Sequence, residues 1–343
     1  MPTPQETLPW TSSPLIINAP MAGFAGAALA STVTLAGGIG LIGSATNLTQ
    51  TRQELLHART ALADFPSPSL PIGVGFLLFA VEMHMALELV TEFEPAVVWL
   101  FAAKEEKDYT TWTTALRAAA PRTRVWIQLN SVSAAVRIAL AAKPDALCLQ
   151  GTDAGGHGSE NGAGIISLVP ETVDALSEAG CGDVGVLASG GIVDGRGVAS
   201  AIVLGAQGVV MGTRFLAASE TMVKPQVRAS VMEAQDGGVV TARSQVFDLL
   251  AGPSIWPEGY DGRSLAVRSY REFVQGVELE EIQKRYGEAM KEEHRGLKTG
   301  LEGRAAIWAG TGVGLVKTIE SAKDIVEGVR NDARKRLSLA AKY

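Results

Sequence analysis

Val184-Gly185-Val186-Leu187-Ala188-Ser189-Gly190-Gly191 leads through a helical pattern, Arg196–Leu204, into Gly208-Val209-Val210-Met211-Gly212-Thr213. Two short apolar runs flank one helix, and each run ends in glycine. A parallel neighbour strand can be started only after a crossover of this kind, so the stretch reads as a strand–helix–strand unit. Its runs are continuously apolar rather than alternating, which predicts a sheet covered on both faces. Toward the N-terminus the same rhythm recurs. Strands are expected at Leu15–Asn18, Ile39–Ile42, Ile72–Phe76, Ala96–Leu100, Val125–Leu129 and Ala146–Leu149. Between them Ala27–Ala36, Arg52–Ala63, Met83–Thr91, Thr113–Ala119, Val132–Ala141 and Pro170–Ala179 read as helices. Eight such units favour an α/β fold of the closed (β/α)8 TIM-barrel type over an open doubly wound sheet.

Beyond the eighth unit the rhythm breaks. Residues 221–304 are richer in charge, as in Glu278-Leu279-Glu280-Glu281 and Lys291-Glu292-Glu293-His294-Arg295, and read as a helical insertion. It is either a solvated appendage or a lid, since an insertion in a late βα loop projects over the barrel mouth. Its turn-rich stretch Ser254–Arg263, with Trp256 and Tyr260, is placed to reach the mouth. The chain returns at Gly310-Thr311-Gly312-Val313-Gly314 to an amphipathic helix running to about Val329, expected to close the barrel. The expected division is therefore 1–220 with 305–343 as barrel, and 221–304 as insertion or lid.

The totals narrow the class. Of 343 residues, 47% are hydrophobic and 19% charged, enough for a large core. A net charge of −6 argues against nucleic acid or an anionic membrane as main partner. Two cysteines, Cys148 and Cys181, are too few for a disulfide framework. Cys148 falls inside a strand and reads as packing. Met1 to Ser13 lacks the basic segment and apolar core of a secretory leader, and no run approaches the ~20 apolar residues of a membrane span. The expectation is a cytoplasmic protein, with a homo-oligomer left open.

Barrel enzymes work at the C-terminal ends of their strands. Strand one ends in Asn18-Ala19-Pro20-Met21-Ala22-Gly23, strand three at Gly75-Phe76, and strand five carries Gln128 and Asn130. Strand six opens into Gln150-Gly151-Thr152-Asp153-Ala154-Gly155-Gly156-His157-Gly158. Glycine there lets backbone N–H groups approach a ligand, and an imidazole in the place of His157 can act as acid, base or anion-stabilising donor. Asp153 and Glu160 are candidates to orient that ring. His57, His84 and His294 read as structural or surface residues. Strands seven and eight end in Ser189-Gly190-Gly191 and Met211-Gly212-Thr213, the usual phosphate cradle of this fold. Arg196 and Arg214 are nearby cations.

A flat polar–apolar ligand suits the other ends. Backbone groups of Ala19–Gly23 can bond a ring edge, and the amides of Gln128 and Gln150 can meet ring carbonyls or nitrogens. No G-x-G-x-x-G follows the first strand, so a dinucleotide fold is a poor reading. Gly310–Gly314 lacks the Lys-Ser/Thr of a P-loop, and no histidine, carboxylate or cysteine cluster has metal spacing. Ser189 has neither a base nor a nucleophile elbow. A mononucleotide such as FMN is the expected cofactor, and no metal is expected.

With those residues in hand, the chain resembles the nitronate monooxygenases, formerly called 2-nitropropane dioxygenases. Ala19-Pro20-Met21-Ala22-Gly23, Ala36-Gly37-Gly38-Ile39-Gly40, Gly155-Gly156-His157, Ala188–Gly197 and Leu204–Phe215 carry the resemblance, which covers most of 14–217. The tail around Trp308–Lys317 also looks familiar, and Trp256–Arg263 is similar to fungal members. The resemblance implies non-covalent FMN and oxidation of alkyl nitronates by O2 to carbonyl compounds and nitrite, through one-electron transfer to flavin. It puts FMN on Met21, Gly23, Gln128, Gln150, Gly151, Gly190, Gly191, Gly212 and Thr213. His157 matches the active-site histidine, which would hold the anionic substrate or take the α-proton of a neutral nitroalkane. Two departures stand out. Gly75-Phe76 replaces a polar residue of many relatives, and Gln128 stands where many carry lysine. Two rivals remain: an FMN-dependent NADH or NADPH reductase of quinones or enoyl thioesters, and a non-catalytic flavin- or phosphate-binding barrel.

Overall fold

The computed structural model describes residues 4–44 and 46–342, so Met1–Thr3 of the N-terminal stretch lie outside the described residues. Eleven strands follow in chain order: β1 Leu15–Asn18, β2 Leu41–Gly43, β3 Leu70–Leu77, β4 Pro95–Phe101, β5 Arg124–Leu129, β6 Ala146–Gln150, β7 Gly156–Ser159, β8 Gly185–Ser189, β9 Gly208–Met211, β10 Thr241–Ser244 and β11 Tyr260–Leu265. Eight of them form one parallel sheet in the order β1-β9-β8-β6-β5-β4-β3-β2. The two ends meet. Ile17 bridges Ile39, and the Ile39 N–H donates to Ile16 O at 3.2 Å. The Asn18 side chain then substitutes for ladder bonds across the seam. Its Nδ2 donates to Leu41 O at 2.8 Å, and its Oδ1 accepts from Leu41 N at 3.0 Å. The expected (β/α)8 barrel is the fold.

Strand parity explains the continuous apolar runs. Leu15, Ile17, Val97, Trp99, Phe101, Trp126, Cys148, Leu187 and Val210 share one buried cluster, which fills the barrel. Their chain neighbours Ile16, Val98, Leu100, Val125, Ile127, Leu147, Leu149, Val186 and Val209 belong to another, packed with the surrounding helices. Alternate residues thus face two different cores, so neither face can be polar. Cys148 is packing, as expected, and burial pushes its thiol pKa well up. Gln128 and Gln150 share the parity of Trp126 and Cys148, which turns both amides inward at the top of the barrel.

The helical ring is as expected, with shifted edges. The fourth-unit helix starts at Glu106, seven residues before the expected Thr113, because Glu105 and Asp108 form a capping box that opens it with polar residues. The helix expected from Pro170 begins at Ile165 and carries Pro170 inside. The last helix, Ala322–Ala340, buries Ala322, Ile325, Val326, Val329, Arg330 and Ala333, a stripe at helical spacing. It packs against helices Gly195–Val203 and Ala27–Leu35, filling the gap in the ring where the chain closes.

After β9 and a 3-10 turn, Thr213–Ala217, come helices Pro225–Glu233, Arg268–Val274 and Leu279–Ala289, with short turns Gly237–Val240 and Val246–Leu249. This helical segment also carries β10 and β11, which the sequence reading did not anticipate. They join β7 in an antiparallel sheet, in the order β10-β11-β7. Gly262 of β11 pairs with His157 of β7, and Arg263 with Gly156. Among the described residues no helix is long and apolar enough to cross a membrane.

Candidate active site

A cavity of about 320 Å³ opens at the C-terminal ends of the barrel strands, within the usual range for small-molecule sites. Fourteen of the seventeen expected site residues line it: Ala19, Met21, Ala22, Gly75, Gln128, Gln150, Gly155, Gly156, His157, Ser189, Gly190, Gly191, Gly212 and Thr213. The other three stand behind the wall. Met211 is buried in β9, where its carbonyl accepts from Ala19 N. Gly151 donates its N–H to Ser189 O and accepts from Ala154 N. Gly23 sits in the exposed turn after Met21, at φ +75°.

One side of the cavity is a set of unused donors. The backbone N–H groups of Gly190, Gly191, Gly212 and Thr213 make no hydrogen bond within the described protein. The Thr213 hydroxyl accepts from Gly310 N at 2.9 Å, which leaves its own proton to donate. Gly190 has φ +109°, and an added Cβ there would stand 2.8 Å from Gly151 O, so only glycine carries the turn. Gly212 and Thr213 open the 3-10 turn, and Gly190 and Gly191 follow β8, so two neighbouring strand ends present N–H groups of the kind that bind anions. The two cations noted in the sequence serve elsewhere. Arg196 is exposed and bonds Asp194 at 2.9 Å. Arg214 is buried against Glu320 and Thr318 O, with burial lowering its pKa and Glu320 opposing that shift.

Across the floor stand the two amides, and their neighbours settle their orientation. Trp99 Nε1 donates to Gln128 Oε1 at 3.1 Å. An indole N–H is only a donor, so the Gln128 NH2 is left as a donor toward the cavity. Gln150 is engaged differently: Oε1 accepts from Asn130 Nδ2 at 2.9 Å, and Nε2 donates to His157 O at 3.0 Å. It ties the histidine strand to the barrel.

His157 is held by residues from late in the chain. Its Nε2 lies 2.6 Å from Asp248 Oδ1, and the two side chains are only 13% and 8% exposed. Trp256 stacks on the ring at 3.8 Å and 11°, and Trp308 lies at 4.6 Å on a 52° tilt. Gly262 makes room for this, because a Cβ there would meet Trp308 at 2.4 Å and His157 Nε2 at 3.3 Å. Phe79, Phe101 and Tyr260 extend the aromatic wall from Trp256. The expected partners are therefore corrected. Asp153 Oδ1 accepts from Thr311 Oγ1 at 2.9 Å, and Glu160 accepts from Gln245. Both acids fasten segments that arrive from elsewhere in the chain, and the position facing the ring falls to Asp248. Asp248 carried no local motif, and Trp99 read only as a strand residue. The Gly310–Gly314 run does mark a close approach: Gly310 and Gly312 line the cavity.

The nitronate monooxygenase family model matches residues 78–332. The chain belongs to the nitronate monooxygenase family. It is 42% identical to nitronate monooxygenase npaC of Metarhizium robertsii over 338 residues, covering 96% of this chain and 93% of that protein. It is 38% identical to the nitronate monooxygenase of Neurospora crassa, over 96% and 91% of the two chains. In structure it is similar to FabK of Thermotoga maritima, with a TM-score of 0.77 at 26% identity over 100% of this chain and 99% of that one. The family's matched span includes the His157 strand, both glycine turns and the whole helical segment after β9.

Proposed function

We propose that the protein is an FMN-dependent nitronate monooxygenase that oxidises alkyl nitronates with O2 to carbonyl compounds and nitrite. One observation carries the reading beyond family membership: His157 is the single ionisable side chain among the described residues lining the cavity. It faces a site otherwise built of aromatic, aliphatic, amide, hydroxyl and backbone groups. An anionic substrate with an apolar tail finds there one charge partner and a dry wall.

The donor set fits FMN. The unused N–H groups of Gly190, Gly191, Gly212 and Thr213, with the hydroxyls of Ser189 and Thr213, suit a phosphate. Backbone groups of Ala19–Ala22 and the Gln128 NH2 suit the polar edge of a flavin ring, while Gly75 leaves room beside them. Met211, Gly151 and Gly23 would support this binding from behind. When bound, FMN supplies the acceptor for substrate electrons and the route by which they reach O2. His157 holds the nitronate oxygens, or takes the α-proton of a neutral nitroalkane. Trp256 stacks on that ring and Trp308 packs beside it, which limits its rotation. Residues 221–304 act as more than a cover, because they bring Trp256 to the cavity wall and Asp248 to His157.

The test is anaerobic mixing of the FMN-loaded protein with ethylnitronate and, separately, with NADH. Flavin bleaching by ethylnitronate, with nitrite release in air, is the expected result. Bleaching by NADH alone would move the protein to the reductases. No bleaching by either would make it a binding barrel.

A further inference from the structure

His157 is tied at one nitrogen only. Nε2 meets Asp248 Oδ1 at 2.6 Å, whereas Nδ1 has no hydrogen-bond partner among the described residues and is not one of the buried unpartnered atoms, on a ring that lines the cavity. An ionised carboxylate only accepts, so with Asp248 as the carboxylate the bond requires its proton on Nε2. We infer that Asp248 is the positioning residue of this site, locking His157 as the Nε2–H tautomer and making Nδ1 the atom that meets substrate.

Three further observations support it. Asp248 Oδ2 is buried without a hydrogen-bond partner. A half-satisfied buried carboxylate is costly, and packing alone would favour an apolar residue beside the buried Val246 and Phe247. Asp248's side chain has one hydrogen-bond partner, and that partner is His157. Rotation of the ring is blocked as well, by Trp256 stacked on it and Trp308 beside it. Asp248, Trp256 and Trp308 all follow β9, so the barrel supplies the histidine and the later chain supplies its orientation.

The inference rests on the nitronate-oxidising reading and adds an atom-level role to it. With a nitronate, protonated His157 donates Nδ1–H to a nitro oxygen. With a neutral nitroalkane, the α-C–H bond breaks and its proton goes to Nδ1. The electron pair stays on the substrate as nitronate. The Nε2 proton does not move, and the Asp248 charge balances the imidazolium formed.

The experiment is 15N NMR of the FMN-loaded protein labelled at histidine, without substrate. With four histidines, His157 is assigned by the signal lost in His157→Gln. At a pH where the ring is neutral, the expected pattern is a protonated Nε2 and a bare Nδ1. In Asp248→Leu, which keeps side-chain bulk but removes the acceptor, that preference should collapse toward a mixture. The same variant should lose at least about a hundredfold in kcat/KM for nitroethane, which needs a base, and less for ethylnitronate. A protonated Nδ1 in the neutral wild type overturns the inference, and so does an unchanged tautomer in Asp248→Leu. Neither outcome depends on turnover, so failure here is distinct from failure of the nitronate reading, which shows as absent flavin bleaching and nitrite.

Discussion

In the proposed reaction the acid–base chemistry falls to His157, because no other described residue lining the cavity can ionise. His157→Asn should therefore lower kcat/KM for nitroethane by about 10²–10⁴-fold while flavin stays bound. Nitrite assays beside the flavin spectrum check this, and an unchanged rate would remove His157 from the mechanism. Trp99 offers a second test. Trp99→Phe strands Gln128 Oε1 in a buried site, which costs about 1–3 kcal/mol and frees the amide to flip. A weaker FMN affinity with a modest drop in melting temperature is the expected result. An affinity equal to wild type would show that the indole bond does not orient Gln128. His157, Gln128, Gln150 and the glycines were legible in sequence because position after a strand and residue type coincide. Asp248 was not, since it lies 91 residues from its partner and its meaning exists only once β11 has paired with β7.

The turns and the strand pairings set the scale at which the site is rigid. The turn after β8 depends on a left-handed residue at 190, and Gly190→Ala adds both strain and a contact with Gly151 O. Such strain is about 1–3 kcal/mol. FMN release in a dilution assay should be faster in that variant, and retention equal to wild type would argue against this turn as the phosphate cradle. In the segment after β9, Glu272 sits among Arg304, Arg268 and Arg285. Hydrogen bonds from Arg304, its charge, and bonds from Arg268 and Arg285 outweigh desolvation and hold the Glu272 pKa down at about 2. A depressed carboxylate stabilises the fold above its unfolded pKa, near 4.5, and loses that contribution as pH falls toward about 2. Thermal melts of wild type and Glu272→Gln should therefore differ most above about pH 5 and converge as acid is added. A gap independent of pH would contradict the assignment. Element edges were the least legible feature, as with Glu106, where a capping box opens a helix with residues that carry no apolar period. β10 and β11 leave no strand pattern in the sequence because Thr241-Ala242-Arg243-Ser244 and Tyr260-Asp261-Gly262-Arg263 are polar. They become strands by pairing, not by burial of a periodic face.

Taken whole, the molecule is a barrel whose mouth is finished by chain that follows its last strand. The barrel was legible because its two cores force apolar residues onto both faces of each strand. How the later segment meets the mouth depends on tertiary contacts, which leave no local pattern. Binding of FMN to the folded state alone should stabilise it by about 2.7 kcal/mol at a free concentration a hundredfold above Kd, and the melting temperature should rise with FMN concentration accordingly. A melting temperature indifferent to FMN would count against the cradle. The central claim, that this cavity oxidises nitronates, is tested most directly by anaerobic stopped-flow mixing of the FMN-loaded protein with ethylnitronate or NADH. Rapid bleaching by ethylnitronate and slow or no bleaching by NADH is the predicted result. Bleaching by NADH with none by ethylnitronate would contradict it.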